Sequence, residues 1–268
     1  MTLLAVPNVS EGRDEKALDA IAAAFGPGLI HGSSDPDHHR SVFTVRGEPG
    51  ELAERVLDGA REAVARIDLT RHAGVHPRVG AVDVAPIVYL DPARRGAAVA
   101  EALILADRLA HELELPVYLY GLLAGGRTRA ELRRGGPEAL IARTKPDLGP
   151  HRLHPTAGAT LVAARPPLAA FNVEVAAPLE TAKEIAASIR APGGLPGVRA
   201  LGLELERQGI VQVSTNIEDL DRTTPADVVA AIRRRAGVTG AELIAPAPRS
   251  AFESFPADVP LRGAPLLD

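Results

Sequence analysis

Cysteine and tryptophan are absent from this chain, and all aromatic residues together make up 3% of it. Without cysteine there is no disulfide framework, no thiolate nucleophile and no cysteine-ligated zinc, which fits a reducing, cytoplasmic setting. So few rings leave little surface for stacking bases. The formal net charge of −4 gives no basic excess to meet a phosphate backbone, so no nucleic-acid partner is expected. No uncharged apolar run is long enough to cross a bilayer, and the first residues, Met1 to Pro7, lack the charged and apolar regions of a secretory signal, so no membrane partner is expected either. What is present is an ordinary globular composition, 46% hydrophobic and 24% charged over 268 residues, enough for two modest domains.

Hydrophobic periodicity gives one element order twice. Residues 2–7 read as a strand, and Asp14 caps a helix whose Leu18, Ile21, Ala22 and Phe25 recur at helical spacing until Gly26-Pro27 stops it. Strands at 29–32 and 41–46 flank a polar loop, a helix covers about 50–67, and a Val- and Ile-rich strand follows at 81–90. A helix at about 95–113, a strand at 116–120, one or two short helices through Arg143 and a strand at 159–164 extend this half. After Arg165-Pro166-Pro167, a natural hinge, the order repeats: strand 168–175, helix 180–190, strands 199–205 and 210–214, helix 225–236, strand 242–244. The expected fold class is α+β: two tandem ferredoxin-like (β-α-β-β-α-β) subdomains, residues 1–166 and 167–268, with mixed β-sheets and helices on one face. The Pro-rich segment from Pro246 onward reads as a partly ordered tail.

The densest chemistry lies between Thr70 and Asp83, where two histidines and two arginines share a Gly- and Pro-marked loop leading into an apolar strand. Pro77 biases His76 toward an extended backbone, which narrows the directions its imidazole can take, and Arg78 follows as a permanent cation with a fork suited to carboxylates. The pair reads as a proton-transfer group beside an anion anchor. Asn8, Ser10 and Glu11 follow the first strand and precede a helix, where they serve either a ligand or a helix cap. Asp35, Asp37, His38, His39 and Arg40 crowd a short connection between strands. Residues 147–158 form a long connection carrying two glycines, two prolines, His151 and His154, able to lay backbone polar groups against a flat heteroaromatic ligand. His72 with His76, and His151 with His154, have zinc-compatible spacing, but they stand in Gly/Pro-broken segments without an established ligand motif, so no metal is expected. His31 and His111 read as structural.

In order along the chain, Val6-Pro7-Asn8-Val9-Ser10-Glu11-Gly12, His39-Arg40-Ser41-Val42-Phe43-Thr44, Gly74-Val75-His76-Pro77-Arg78-Val79-Gly80-Ala81-Val82-Asp83, Pro116-Val117-Tyr118-Leu119-Tyr120-Gly121, Pro146-Asp147-Leu148-Gly149-Pro150, Gly158-Ala159-Thr160, Ala170-Phe171-Asn172 and Gln212-Val213-Ser214-Thr215-Asn216 resemble the formiminotransferase domain of glutamate formimidoyltransferases. The resemblance runs collinearly from Val6 to about Pro246. It implies a stand-alone transferase without the cyclodeaminase domain of the bifunctional animal enzymes, with deamination left to another protein.

The implied reaction moves the formimino group of N-formimino-L-glutamate to N5 of tetrahydrofolate, giving 5-formiminotetrahydrofolate and L-glutamate in histidine breakdown. Tetrahydrofolate is then a co-substrate, and a homodimer is the implied assembly. By position His76 matches the family's catalytic histidine, a general acid/base, and Gly149–Gly158 its folate-binding stretch, giving Asp147, Gly149, Pro150, His151, His154, Pro155 and Gly158 as folate candidates. Arg40 and Arg78 are candidates for the substrate carboxylates, Asp35 or Asp37 for orienting a histidine or holding the formimino cation, and Asn8, Ser10, Glu11, His39, Asn172, Ser214 and Asn216 for substrate binding. His39 stands where the animal enzymes have Asn, and Ala157 where they have a Trp whose ring would stack on folate. The competing readings are a formyl-donor transferase acting on N-formylglutamate, a non-catalytic folate-binding protein and a metal-dependent amidohydrolase.

Overall fold

A computed structural model describes residues 2–72, 76–190 and 192–268 and divides into two compact units, Met1–Pro166 and Pro167–Asp268. Both mix helices with mixed or antiparallel sheet, so the fold is α+β.

The first unit contains β1 (Leu3–Ala5), β2 (Asn8–Val9), α1 (Glu15–Ala24), β3 (Leu29–Asp35), β4 (Arg40–Gly47), α2 (Leu52–Arg66), β5 (Val82–Val88), α3 (Arg95–Glu112), β6 (Val117–Leu119), α4 (Arg129–Arg133), α5 (Gly136–Arg143) and β7 (Thr160–Arg165). The expected first strand, 2–7, is the shorter β1, and beyond Pro7, which has no N–H to donate, the chain resumes as β2; each pairs antiparallel with β4 on one side and β5 on the other. β3 closes the β4 edge, while β7 and then β6 add in parallel beyond β5. β3 runs three residues past its expected end, because Ser34 and Asp35 stay in register with Ser41 and Arg40. The polar loop thus shrinks to a turn at 36–39.

Local signals set the helix ends. Asp14 caps α1 through the Ala17 N–H at 3.1 Å. α2 has no such cap of its own, and its end is held by Glu101 of α3, a 2% exposed carboxylate that accepts from Gly50 N–H and, at 2.9 Å, from Ala53 N–H. Alternate residues of β7 face two clusters: Val162 and Ala164 join the main core with α2 and α3, whereas Leu161 and Ala163 join Tyr118, Tyr120, Leu132 of α4 and Leu140 of α5. Helices therefore cover both faces of this part of the sheet, correcting the expectation of helices on one face.

The second unit contains β8 (Ala169–Ala176), α6 (Leu179–Arg190), β9 (Val198–Leu205), β10 (Ile210–Ile217), α7 (Pro225–Arg233), β11 (Gly237–Leu243), β12 (Ala247–Pro248), β13 (Leu261–Gly263) and β14 (Leu266–Leu267). Its main sheet has the order β13-β11-β8-β10-β9, and β12 pairs with β14. A reciprocal Thr224–Asp227 capping box starts α7, which ends at Arg233, three residues short of expectation, and leaves a longer β11. The Pro-rich end is not a loose tail. Phe252 and Val259 are buried, Phe252 packs against Phe171 and Phe255, and β13 extends the sheet beside β11. Proline removes donors but not apolar burial, and the side chains between the prolines supply that burial.

Candidate active site

Three neighbouring strands place Asn8 on β2, Arg40 on β4 and Asp83 on β5 side by side. Asp83 is 0% exposed; its Oδ2 accepts from Arg40 Nη1 at 2.6 Å and from Arg133 Nη2 of α4, and its Oδ1 from Val79 N–H at 2.8 Å. Burial works against this carboxylate's charge, but Arg133 and Arg40 outweigh it and hold the pKa far below the usual carboxylate range. The Nε and Nη2 of Arg40 both donate to Asn8 Oδ1, at 3.2 and 2.9 Å. Burial lowers the Arg40 guanidinium to about 10, with Asp83 countering and Arg133 reinforcing the shift.

His76 and Arg78 sit above this charged floor. His76 Nδ1 lies 2.8 Å from the Pro77 carbonyl, which can only accept, so Nδ1 carries the proton and Nε2 the lone pair. Burial, then the Arg40 and Arg133 charges, push the imidazolium pKa well below the ordinary histidine value. The group is a neutral base at physiological pH. Residues 73–75, just before it in the family-like motif, lie outside the described residues.

Arg78 is placed differently from its expected role. Nε donates to His76 O, Nη1 to His39 O, and Nη2 to His38 O and His76 O, with Nη1 also 2.5 Å from His72 Nε2. It ties the 36–39 turn to the 76–78 segment, so the cation offered by the sequence as an anion anchor spends most of its donors on backbone carbonyls. In the turn, Asp35 Oδ1 accepts from Asp37 and His38 N–H, both at 2.8 Å, while its Oδ2 lies 3.3 Å from His38 Nδ1. The His38 ring meets His76 edge-on with centroids 6.0 Å apart, and His39, at φ 48°, stacks on His72 at 4.0 Å. Burial and Arg78 lower His72 to about 4.

Glu11 and Ser10 are occupied as well. Glu11 Oε1 accepts from the N–H groups of Gly12, Arg13 and Asp14, and Ser10 Oγ donates to Gly80 O at 2.7 Å. Glu11 anchors the turn into α1, the capping alternative left open by the sequence, while Ser10 ties the end of β2 to the residues before β5.

The 147–158 segment splits into two parts. Asp147 accepts from Leu119 N–H and from Arg127, and Gly149, at φ 83°, lies where a Cβ would meet Leu115 O at 2.4 Å, so Asp147, Gly149 and Pro150 follow β6. His151 is exposed and donates to Ile141 O at 3.3 Å. His154 Nδ1 accepts from Ala157 N–H at 3.0 Å, and its backbone pairs with Gly158 across Pro155. Gly158 then bridges Gly80, and Ala159 N–H reaches Val79 O, which brings this end next to the segment that carries His76 and Arg78. Ala157 is 1% exposed within the main core.

In the second unit, taken by itself, Asn172 on β8 pairs in register with Ser214 on β10 and Glu242 on β11, and Asn216 stands two residues along the same face of β10. Asn172 and the neighbouring Gln212 are almost fully buried.

The sequence reading missed Arg133 and the pairing of Asp83 with it. The two are 50 positions apart, and only the proximity of α4 to β5 relates them. A lone arginine in an Arg-rich helix carries no spacing signal.

The arrangement defines a class: a two-unit α+β protein with a neutral imidazole above a buried carboxylate–guanidinium cluster. A model of the formiminotransferase domain, N-terminal subdomain, matches residues 2–165, and one of the formiminotransferase domain matches 170–254. The chain belongs to the formiminotransferase domain family. It is 39% identical to formimidoyltransferase-cyclodeaminase of Sus scrofa over 81% of its own length and 44% of that protein's. It is 36% identical to glutamate formimidoyltransferase of Streptococcus pyogenes serotype M1 over 92% of this chain and 89% of that one, and 36% identical to glutamate formimidoyltransferase of Thermoplasma acidophilum over 81% and 77%. The chain spans about half the length of the cyclodeaminase-bearing animal relatives. Among the described residues, no helix is long and apolar enough to cross a membrane.

Proposed function

We propose that this chain is a glutamate formimidoyltransferase that moves the formimino group from N-formimino-L-glutamate to N5 of tetrahydrofolate. The observation that carries the reading is the neutral His76, with Nε2 free of its proton, in a chain of this family. N5 attacks the amidine carbon, and the C=N electron pair moves onto the imino nitrogen. His76 Nε2 takes the N5 proton from the tetrahedral adduct and returns it to the departing glutamate nitrogen as that C–N bond breaks and C=N re-forms. No covalent enzyme intermediate is required, and tetrahydrofolate serves as co-substrate. The Arg40–Asp83–Arg133 cluster favours the neutral base and an anionic substrate.

In this reading residues 1–166 and 167–268 are the N- and C-terminal formiminotransferase subdomains, supported by the two family matches. The strand orders support a ferredoxin-like core in each: β3-β4-β1-β5 in the first and β11-β8-β10-β9 in the second. The stretch from Gly149 to Gly158 is the folate-binding segment, its Gly158 end beside the segment that carries His76. On the second unit, Asn172, Ser214 and Asn216 share a polar sheet face suited to substrate binding. The resemblance also supports a cytoplasmic homodimer, which sedimentation equilibrium tests for assembly.

The deciding experiment incubates metal-stripped protein with N-formimino-L-glutamate, with and without tetrahydrofolate, and follows glutamate and the 5-formimino folate by mass. Stoichiometric, folate-dependent transfer is expected. Glutamate release without folate, or folate binding without transfer, would sink the proposal.

A further inference from the structure

Arg40, Arg78 and Arg133 surround one buried carboxylate, Asp83, but they are not equally committed. Arg78 donates to the carbonyls of His38, His39 and His76. Arg40 is 8% exposed and bound on both its Asp83 and Asn8 sides. Arg133 donates through Nη2 to Asp83, yet its Nε–H is buried and meets no hydrogen-bond partner among the described residues. A buried guanidinium N–H without an acceptor costs about 1–3 kcal/mol, more for a charged group, a cost that a ligand acceptor beside it would relieve.

The helix bearing Arg133 is fixed in place. Thr128 and Glu131 form a capping box at the start of α4, Leu132 is buried beside Leu140 and Leu161, and Arg143 donates to the carbonyls of Glu131, Leu132 and Arg134. The helix is thus set before any ligand binds, and Asp83 holds the guanidinium through Nη2. Its charge is also felt by His76, which places it within electrostatic reach of the proposed base.

We propose that Arg133 is a specificity-determining residue that binds the α-carboxylate of the formimino donor, using its unpartnered Nε–H while Nη2 stays on Asp83. This rests on the transferase reading above. The choice of carboxylate follows from connectivity. In N-formimino-L-glutamate the α-carboxyl carbon is three bonds from the reacting amidine carbon, through the nitrogen and the α-carbon. The glutamyl carboxylates of a folate are separated from N5 by the aminobenzoyl group. A cation close to the proton-transfer histidine therefore meets the donor's carboxylate, with charge-assisted bonds that Lys or Gln does not reproduce.

The test compares wild type, Arg133→Gln and Arg133→Lys on N-formimino-L-glutamate and on its α-carboxamide, with tetrahydrofolate held constant and then varied. Wild type is expected to prefer the carboxylate by at least about tenfold in kcat/KM. Arg133→Gln is expected to lose about 10- to 100-fold on the parent donor, mainly through KM, and to treat the two donors alike, with the tetrahydrofolate KM shifting less than about twofold. Arg133→Lys, which keeps the charge against Asp83, falls between and answers the question if the Gln variant does not fold. Retention of the wild-type donor preference in either folded variant, or an effect confined to the tetrahydrofolate KM, overturns the assignment. Absence of wild-type transfer would instead overturn the transferase reading. L-glutamate titrated calorimetrically into wild type and Arg133→Lys then judges Arg133 separately, with weaker binding supporting it and equal binding overturning it.

Discussion

At the scale of single residues, the site's chemistry is decided by which donors are already engaged. Replacing His76 by Ala is expected to lower kcat by about 10²- to 10⁴-fold with little change in melting temperature, since among the described residues its side chain meets the neighbouring Pro77 carbonyl and the edge of the His38 ring rather than a core. A base acts in its neutral form, and His76 is held well below the ordinary value, so kcat/KM should stay flat down through pH 6.5 and fall only at lower pH. Arg133→Gln removes one of the depressing charges and should move that acid limb upward, which a pH–rate profile reads directly. Asp83 acts on stability. Asp83→Asn leaves Arg40 and Arg133 buried without a counter-charge and should cost about 3–5 kcal/mol in denaturant unfolding. Because the Asp83 pKa is lower folded than unfolded, its contribution is present above the unfolded value, near 3.9, and is lost as pH falls from there toward the folded pKa.

At the scale of elements, the caps were legible in the sequence and their cross-chain substitutes were not. Asp14 and Thr224 announce α1 and α7 because the capping group lies within three residues of the N–H it serves. Glu101 holds the start of α2 from the middle of α3, and nothing in the spacing of either helix signals it. Glu101→Gln should destabilise the protein by about 1–2 kcal/mol, seen as a lower melting temperature, since the amide keeps the shape but loses an ionised acceptor for two helix-end N–H groups. The site divides the same way. The 70–83 motif, the 36–40 turn and the 147–158 connection were visible as polar clusters between periodic segments. Their internal assignments were not, because Arg78 acts on carbonyls that any residue could supply and Arg133 reaches Asp83 only through the tertiary path of α4.

At the scale of the whole molecule, the chain carries separate cores in its two units, and the Pro-rich end belongs to the second. Composition misjudged that end because proline content was weighed without Phe252, Phe255 and Val259 between the prolines. Phe252→Ala removes a ring in contact with Phe171 and Phe255 and should cost about 3–5 kcal/mol, measured as an earlier transition in far-ultraviolet circular dichroism. The chain's three tyrosines, Tyr89, Tyr118 and Tyr120, all belong to the first unit, Tyr118 and Tyr120 inside its small cluster, and there is no tryptophan anywhere. Intrinsic fluorescence excited at the tyrosine band is therefore a built-in optical label for one half of the protein. The second half, whose rings are all phenylalanine, is dark to it, so comparing emission with dichroism tells which unit has melted without attaching any dye.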